Sequence, residues 1–305
     1  MKEDAEMEQT KTSVMTEKDV KKVAVRQTVT KIATQTMLYL FIGFMALLVI
    51  FPFYWMIISS LKTLAEYSSR TPTFFPKQVV WYNYVSAFKV GELGKLFLNT
   101  IYVGVVSTIL SLIITVISAF AFARLEFKGK NILFAAMLAT MMIPGELFTI
   151  TNFITVIKLD WYKNGFTVLI VPFLVSIFYI YLLRQSFMQI PNELYLAAKV
   201  DGTKDIKYLW KVMIPLALPN IISITILKMM GSWNSYMWPQ LVADEEHHLI
   251  TNGIRGANFV NDMTQSADVT LQMAAVTLVS IPLFLVFIFL RKYIMKGVSR
   301  SGIKG

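Results

Sequence analysis

Long apolar runs alternate with short charged stretches along the 305 residues of this chain. A helix rises about 1.5 Å per residue, so a hydrocarbon layer roughly 30 Å thick needs about 20 apolar residues in succession. Runs of this kind occur at Met37–Ile58, Leu96–Phe122, Asn131–Ile150, Phe166–Leu183, Ala217–Trp238 and Thr270–Leu290. The pattern predicts an all-α polytopic membrane protein with six transmembrane helices. The fourth run is short, and Gly231 and Pro239 predict a break in the fifth. Residues 1–36 and 291–305 are then polar tails, with a membrane domain over 37–290 between them. The first run lies too far into the chain for an ordinary signal peptide, and no small-residue cleavage site follows it, so it is kept as a span.

Composition supports the same class. The chain is 55% hydrophobic and 16% charged, with a mean hydropathy of +0.57, values of a multi-spanning protein rather than a soluble domain. The polar stretches at the N-terminus and between Gly231 and Thr270 are too poor in apolar residues to build a core of their own. The absence of cysteine excludes disulfides and thiolate metal sites, and the pair His247 and His248 reads as part of a solvated loop.

Charge fixes the expected orientation. With the N-terminus inside, twenty of the 29 lysines and arginines fall on inner segments and eight on outer ones, leaving Lys228 within a span. Positive charge is retained in the cytoplasm, so both termini are predicted to be cytoplasmic. The net charge of +10 is then a topology signal, and no nucleic-acid partner is expected. Lysines interleaved with Val20, Val23, Val25 and Val29 leave Thr16–Lys31 open to two readings, a weak amphipathic helix on anionic lipid or disorder. The first 15 residues read as a flexible tail.

Against this apolar background the segment Pro191–Pro219 stands out as charged and cytoplasmic. Pro191 or Asn192 can start a short helix, with Glu193 in its first turn favoured by the helix dipole. Gly202 can end it in a left-handed conformation. Leu194, Leu196, Ala197 and Ala198 would then contact a partner or pack on the membrane domain, and Asp201 precedes the turn.

The order Leu196-Ala197-Ala198, three residues, Gly202, then Ile214-Pro215 and Pro219, resembles the coupling loop of permease subunits in binding-protein-dependent ATP-binding-cassette importers. Further matches cover most of the chain and point to the carbohydrate-uptake, maltose-permease-like branch: Phe51-Pro52-Phe53-Tyr54-Trp55 with Ser60-Leu61-Lys62, Leu98-Asn99-Thr100, Ala121 to Phe127, Met142-Ile143-Pro144-Gly145, Trp233-Asn234, Trp238-Pro239 and Ile303-Lys304-Gly305. One departure is notable, since Leu196 stands where the signature has glutamate. The resemblance implies that fold and a multi-pass place in a bacterial inner membrane. It also implies a second permease subunit, two ATPase subunits and an extracytoplasmic solute-binding protein as partners. No phosphate-binding loop is present, so ATP and magnesium are expected on the partner ATPase and no enzymatic activity on this chain. Under this reading loop 190–219 couples the permease to that ATPase, and the helices give alternating access.

Sugar recognition uses aromatic faces with amide and hydroxyl groups. Trp233, Asn234, Tyr236 and Trp238 supply that chemistry, as do Asn99 and Asn152 near outer span ends, although aromatic residues also anchor membrane interfaces. Lys228, within the fifth span, has two readings: it lines the translocation path and meets substrate, an acidic sugar included, or it snorkels outward or pairs with a partner's carboxylate. On the outer side, Pro72, Phe74-Phe75-Pro76 and Trp81-Tyr82-Asn83-Tyr84 predict a compact elbow that lies on the outer membrane interface, its aromatics half-buried there. The polar loop Leu241–Asp268 reads either as solvated or, with the elbow, as a docking surface for the binding protein. An ion-coupled secondary carrier is the alternative; such carriers usually hold intramembrane carboxylates, and the spans have none but Glu146 at an outer edge.

Overall fold

The computed structural model describes residues 17–256, 259 and 267–299, and the described residues are mostly helical. The chain divides into two compact units, Met1–Met56 and Ile57–Gly305. The first unit consists, as described, of α1 (Glu17–Ser60) up to its last turn. This helix begins 20 residues before the expected first span, so residues 17–36 extend the spanning helix rather than trail from it. Large apolar side chains from Val29 to Phe53 are exposed along it. A helix apolar on every face is suited to lipid or to a partner helix.

The second unit opens with an elbow. A single turn, α2 (Leu64–Tyr67), is capped by Thr63, whose hydroxyl accepts from the Glu66 amide at 3.2 Å. The Glu66 carboxylate in turn accepts from Thr73 Oγ1 at 2.7 Å and from the Lys77 amide at 3.0 and 3.1 Å. Chiefly the Thr73 hydrogen bond holds Glu66 below its usual carboxylate pKa. The Lys62 ammonium donates to the Thr73 carbonyl. Asn83 closes the bend by donating to the carbonyls of Ser60 and Lys62, each at 2.8 Å. The compact elbow is therefore present, with Phe74, Phe75, Trp81 and Tyr82 on the surface of the protein.

After α3 (Tyr82–Val90), the long helix α4 (Leu93–Arg124) forms the axis of this unit. One stripe of small and hydroxylated residues, Thr100, Gly104, Ser107, Thr108, Ser111 and Thr115, is buried along it. Such a stripe lets neighbouring helices approach closely in a membrane. A Cβ at Gly104 would come 2.9 Å from Met229 Sδ, which shows how tightly the fifth span lies against α4 here.

The third and fourth apolar runs do not form straight rods. α5 (Lys130–Thr140) and the stretch Gly145–Lys158, which contains α6 (Phe148–Lys158), meet at 81°. Pro144 sits at the corner, where its ring forbids a continuing helix. A 46° bend separates Thr167–Phe173, containing α7 (Thr167–Ile170), from α8 (Ile177–Met188). Ser176 caps the second piece by accepting from the Tyr179 amide at 3.4 Å. Four helices are thus long and apolar enough to cross a membrane, and six spans result if each bent pair is one.

A short helix, α9 (Asn192–Val200), follows, then α10 (Asp205–Tyr208), a π turn at Leu209–Met213 and α11 (Ile214–Trp233). The loop expected to last until Pro219 therefore ends at Lys204, and the fifth span starts earlier than Ala217. Pro215 lies in the first turn of α11, where its missing N–H is tolerated, directly after the wider π turn. Gly231 does not interrupt α11, which continues to Trp233; the break falls at residues 234–236. Pro239 sits in the first turn of α12 (Met237–Val242). Beyond it comes α13 (Ile250–Gly256); Leu249, Ile250, Asn252 and Phe259 are buried while Leu241, Glu245, Glu246 and Arg255 are exposed, so the described part of loop 241–268 is packed on one side and open on the other. The last helix, α14 (Val269–Ser299), passes the expected end at Leu290. The tail motif Ile303-Lys304-Gly305 and the first 15 residues lie outside the described residues.

Candidate functional site: an exposed helix and a polar cavity

Two places bring the predicted residues together. The first is α9 and its exit turn. The Thr203 amide donates to the Ala198 carbonyl at 2.8 Å and the Gly202 amide to the Lys199 carbonyl at 3.0 Å, with Gly202 at φ +69°. This pair of bonds satisfies carbonyls that the helix end would otherwise leave open, and it needs a residue free of Cβ strain at that φ. Pro191 and Asn192 start the helix and Glu193 lies in its first turn, as the sequence predicts.

The two faces of α9 differ. Tyr195 and Ala198 pack onto a core that includes Phe120, Leu183, Phe187, Tyr208 and Met213. Leu194, Leu196, Ala197, Asp201 and Gly202 are exposed, and Val200 is 87% exposed. Ala198 therefore packs inward, while Leu196, at the position of the signature glutamate, faces outward without a polar contact. The polar fastening comes from elsewhere. Asp205 accepts from the Tyr195 hydroxyl at 2.9 Å and pairs with Lys199 at 2.7 Å. The bond to Asp205 raises the Lys199 pKa, and burial raises that of Tyr195. From α4, Arg124 donates to the carbonyls of Phe187 at 2.9 Å and Ile190 at 2.5 Å, and to Asn192 Oδ1 at 3.3 Å. Neither fastening is visible in local sequence, because both join residues brought together only by the fold.

The second place is a cavity of about 390 Å³ inside the second unit, within the roughly 300–1,000 Å³ of small-molecule sites. Its polar lining comes from Ser107 on α4, Ser176 and Tyr179 at the start of α8, Lys228 and Ser232 on α11, and Ser235 in the break. Val103, Phe173 and Trp238 are among the apolar residues that complete it. The Lys228 ammonium donates to the Phe173 carbonyl at 2.7 Å, at the end of the first half of the bent fourth span. It is thus held against the protein rather than extended clear of it.

Of the residues expected to touch substrate, Lys228 and Trp238 line this cavity and the others do not. Trp238 is 6% exposed and its indole N–H donates to the Val168 carbonyl at 2.9 Å, which fixes the ring at the cavity wall. Trp233 is buried against Phe97, ring centres 5.8 Å apart, in a core with Leu93 and Ala274. Asn99 holds the segment that follows α12 by donating to the carbonyls of Glu246 at 2.9 Å and His248 at 3.0 Å. Tyr236 lies under the Arg255 guanidinium at 5.1 Å, Asn234 is exposed in the break, and Asn152 is half-buried on α6. The serines were missed because a lone serine in an apolar run carries little signal until several converge.

No group of three or more potential metal ligands occurs among the described residues. His247 pairs instead with Asp244, Nδ1 to Oδ1 at 2.5 Å, and meets the edge of Phe166 at 4.5 Å.

Similarity to known proteins agrees with this architecture. The chain is 30% identical over 86% of its length to the arabinooligosaccharides transport system permease protein AraQ of Halalkalibacterium halodurans, covering 94% of that protein. It is 28% identical to the diacetylchitobiose uptake system permease protein NgcG of Streptomyces coelicolor, over 84% of each chain. In fold it matches a chain of a bacterial ABC transporter involved in the import of the acidic polysaccharide alginate, with a TM-score of 0.78, 24% identity, and coverage of 87% of this chain and 97% of that one. Residues 111–300, which hold α9, Gly202 and Lys228, match the family model of the inner membrane component of binding-protein-dependent transport systems. The chain belongs to this family of transport permeases.

Proposed function

We propose that this chain is one of two permease subunits of an ATP-driven sugar importer in a bacterial inner membrane, taking up oligosaccharides delivered by an extracytoplasmic binding protein. The names of the relatives, which refer to arabinooligosaccharides and diacetylchitobiose, support the substrate class. The observation that carries the coupling role is the outward face of α9. Leu194, Leu196 and Val200 are exposed there within a charged stretch, on a helix whose other face is fastened to the core. An apolar surface held rigidly in a polar segment suits docking into a groove of a partner. The partner is a pair of ATPase subunits that bind ATP and magnesium and close on ATP binding. The force reaches this chain at α9, and both termini lie on the same, cytoplasmic side.

Because the chain has no cysteine, Val200→Cys provides a unique label. In intact cells carrying the whole transporter it is expected to resist a membrane-impermeant maleimide and to cross-link to a cysteine placed in the groove of the ATPase. Labelling from outside the cell, with no cross-link, would sink the proposal.

A further inference from the structure

The cavity beside Lys228 differs from a neutral polyol site. Among its lining residues hydroxyl groups are the recurrent polar feature, and the single charge is a cation. A cation in a membrane segment is costly unless it meets water, a dipole or a counter-charge. Here one acceptor is given, the Phe173 carbonyl, at the C-terminal end of a half-helix whose dipole is negative. Of the three ammonium N–H groups, that is the one with an acceptor among the described residues. The tether fixes where the ammonium sits and leaves donors for a ligand.

The surroundings define the ligand further. The Ser107 and Ser232 hydroxyls lie 3.3 Å apart and supply paired donor and acceptor capacity. Tyr179 and Trp238, the latter fixed by its bond to Val168, are the aromatic residues other than Phe173 in the cavity wall. No carboxylate lines the cavity among the described residues, so a bound anion meets no like charge from this chain. Fixed cation, hydroxyls and aromatic wall together match a sugar that bears a carboxylate.

We infer that the cavity lined by Lys228, Ser107, Ser232 and Trp238 is a subsite for a uronate residue of an acidic oligosaccharide, with the Lys228 ammonium receiving the carboxylate. This inference rests on the sugar-import reading and specifies its substrate class.

The test uses the complete transporter with its co-encoded binding protein in proteoliposomes. The probes are a labelled mixture of uronate di- and trisaccharides, galacturonate and mannuronate forms, and the same mixture after carboxyl reduction. Lys228→Met is expected to lower uptake of the acidic mixture on the order of tenfold, the loss of a charge-assisted hydrogen bond. Uptake of the reduced mixture falls several-fold less than that of the acidic one, because a neutral hydroxyl accepts a weaker hydrogen bond from the ammonium than a carboxylate does. Lys228→Arg retains most of the acidic uptake. Equal loss of both mixtures in Lys228→Met would make the lysine a helix tether only and overturn the inference, as would unchanged uptake of both. Robust wild-type uptake of the reduced but not the acidic mixture overturns the uronate assignment while leaving sugar import standing. Failure of the wild type to take up either mixture, or any neutral oligosaccharide, removes the sugar-import reading and this inference with it.

Discussion

The outward face of α9 and the cavity beside Lys228 depart in opposite directions from the chain around them. In the charged stretch between two spans, α9 turns Leu194, Leu196 and Val200 outward. In an apolar stretch the cavity gathers hydroxyls and an ammonium. Each surface is mismatched to its setting, and such a mismatch persists at a cost unless something covers it. The remedy differs in kind. An apolar ridge in a polar stretch suits another protein, whereas a polar hollow between membrane helices suits water and a small polar solute.

Making one surface obey its surroundings breaks the comparison. Val200→Asp places a carboxylate on the ridge and, if a partner buries it, costs more than about 2 kcal/mol at the interface. Uptake is expected to fall by well over tenfold, with the variant still found in the membrane. Full uptake by this variant would remove α9 as a docking ridge.

Cutting the link between the two regions is expected to have a smaller effect. Arg124→Met deprives the carbonyls of Phe187 and Ile190 of donors, at about 1–3 kcal/mol for each buried group. Thermal unfolding in detergent should shift downward by several degrees, and ATP hydrolysis should respond less to the loaded binding protein. An unchanged response together with an unchanged melting temperature would show that Arg124 is not a link.

The smallest effect concerns pH. The Asp205 bond raises the Lys199 pKa, so its stabilisation is complete below the ordinary lysine pKa and fades only as pH climbs through the raised value. From about pH 6 to 9, below the lysine range near 10.4, this pair should contribute no slope to uptake. Asp205→Asn should lower uptake modestly and equally throughout that window. A slope that appears in the wild type and vanishes in Asp205→Asn would contradict this assignment.

The sequence exposed these two regions unequally. The turn at Gly202 was legible because a positive φ after a helix is a local requirement that glycine meets at least cost. The ends of the helices were not. Gly231 and Pro239 read as a break, yet a proline is harmless in a first turn, as Pro239 is in α12, and packing of α11 on α4 at Gly104 overrides glycine's weak helix propensity. The cavity was the hardest to see. Trp233 and Trp238 look alike in sequence; one fills a core beside Phe97 and the other walls the hollow, and only the fold decides. Ser107 and Ser232 come from two helices and Ser176 from the cap of a third, and no periodicity within one helix announces their meeting.

Arg124 sits at one end of α4, and Val103 and Ser107 of the same helix line the cavity. About seventeen residues, or roughly 25 Å of unbroken helix, separate the guanidinium from Ser107. Hydrogen bonds at one end and a close-packed stripe along the shaft leave little play in between. A stroke delivered to Asn192 would therefore arrive at the hollow as displacement instead of dissipating as local bending, much as a push-rod carries motion from cam to valve.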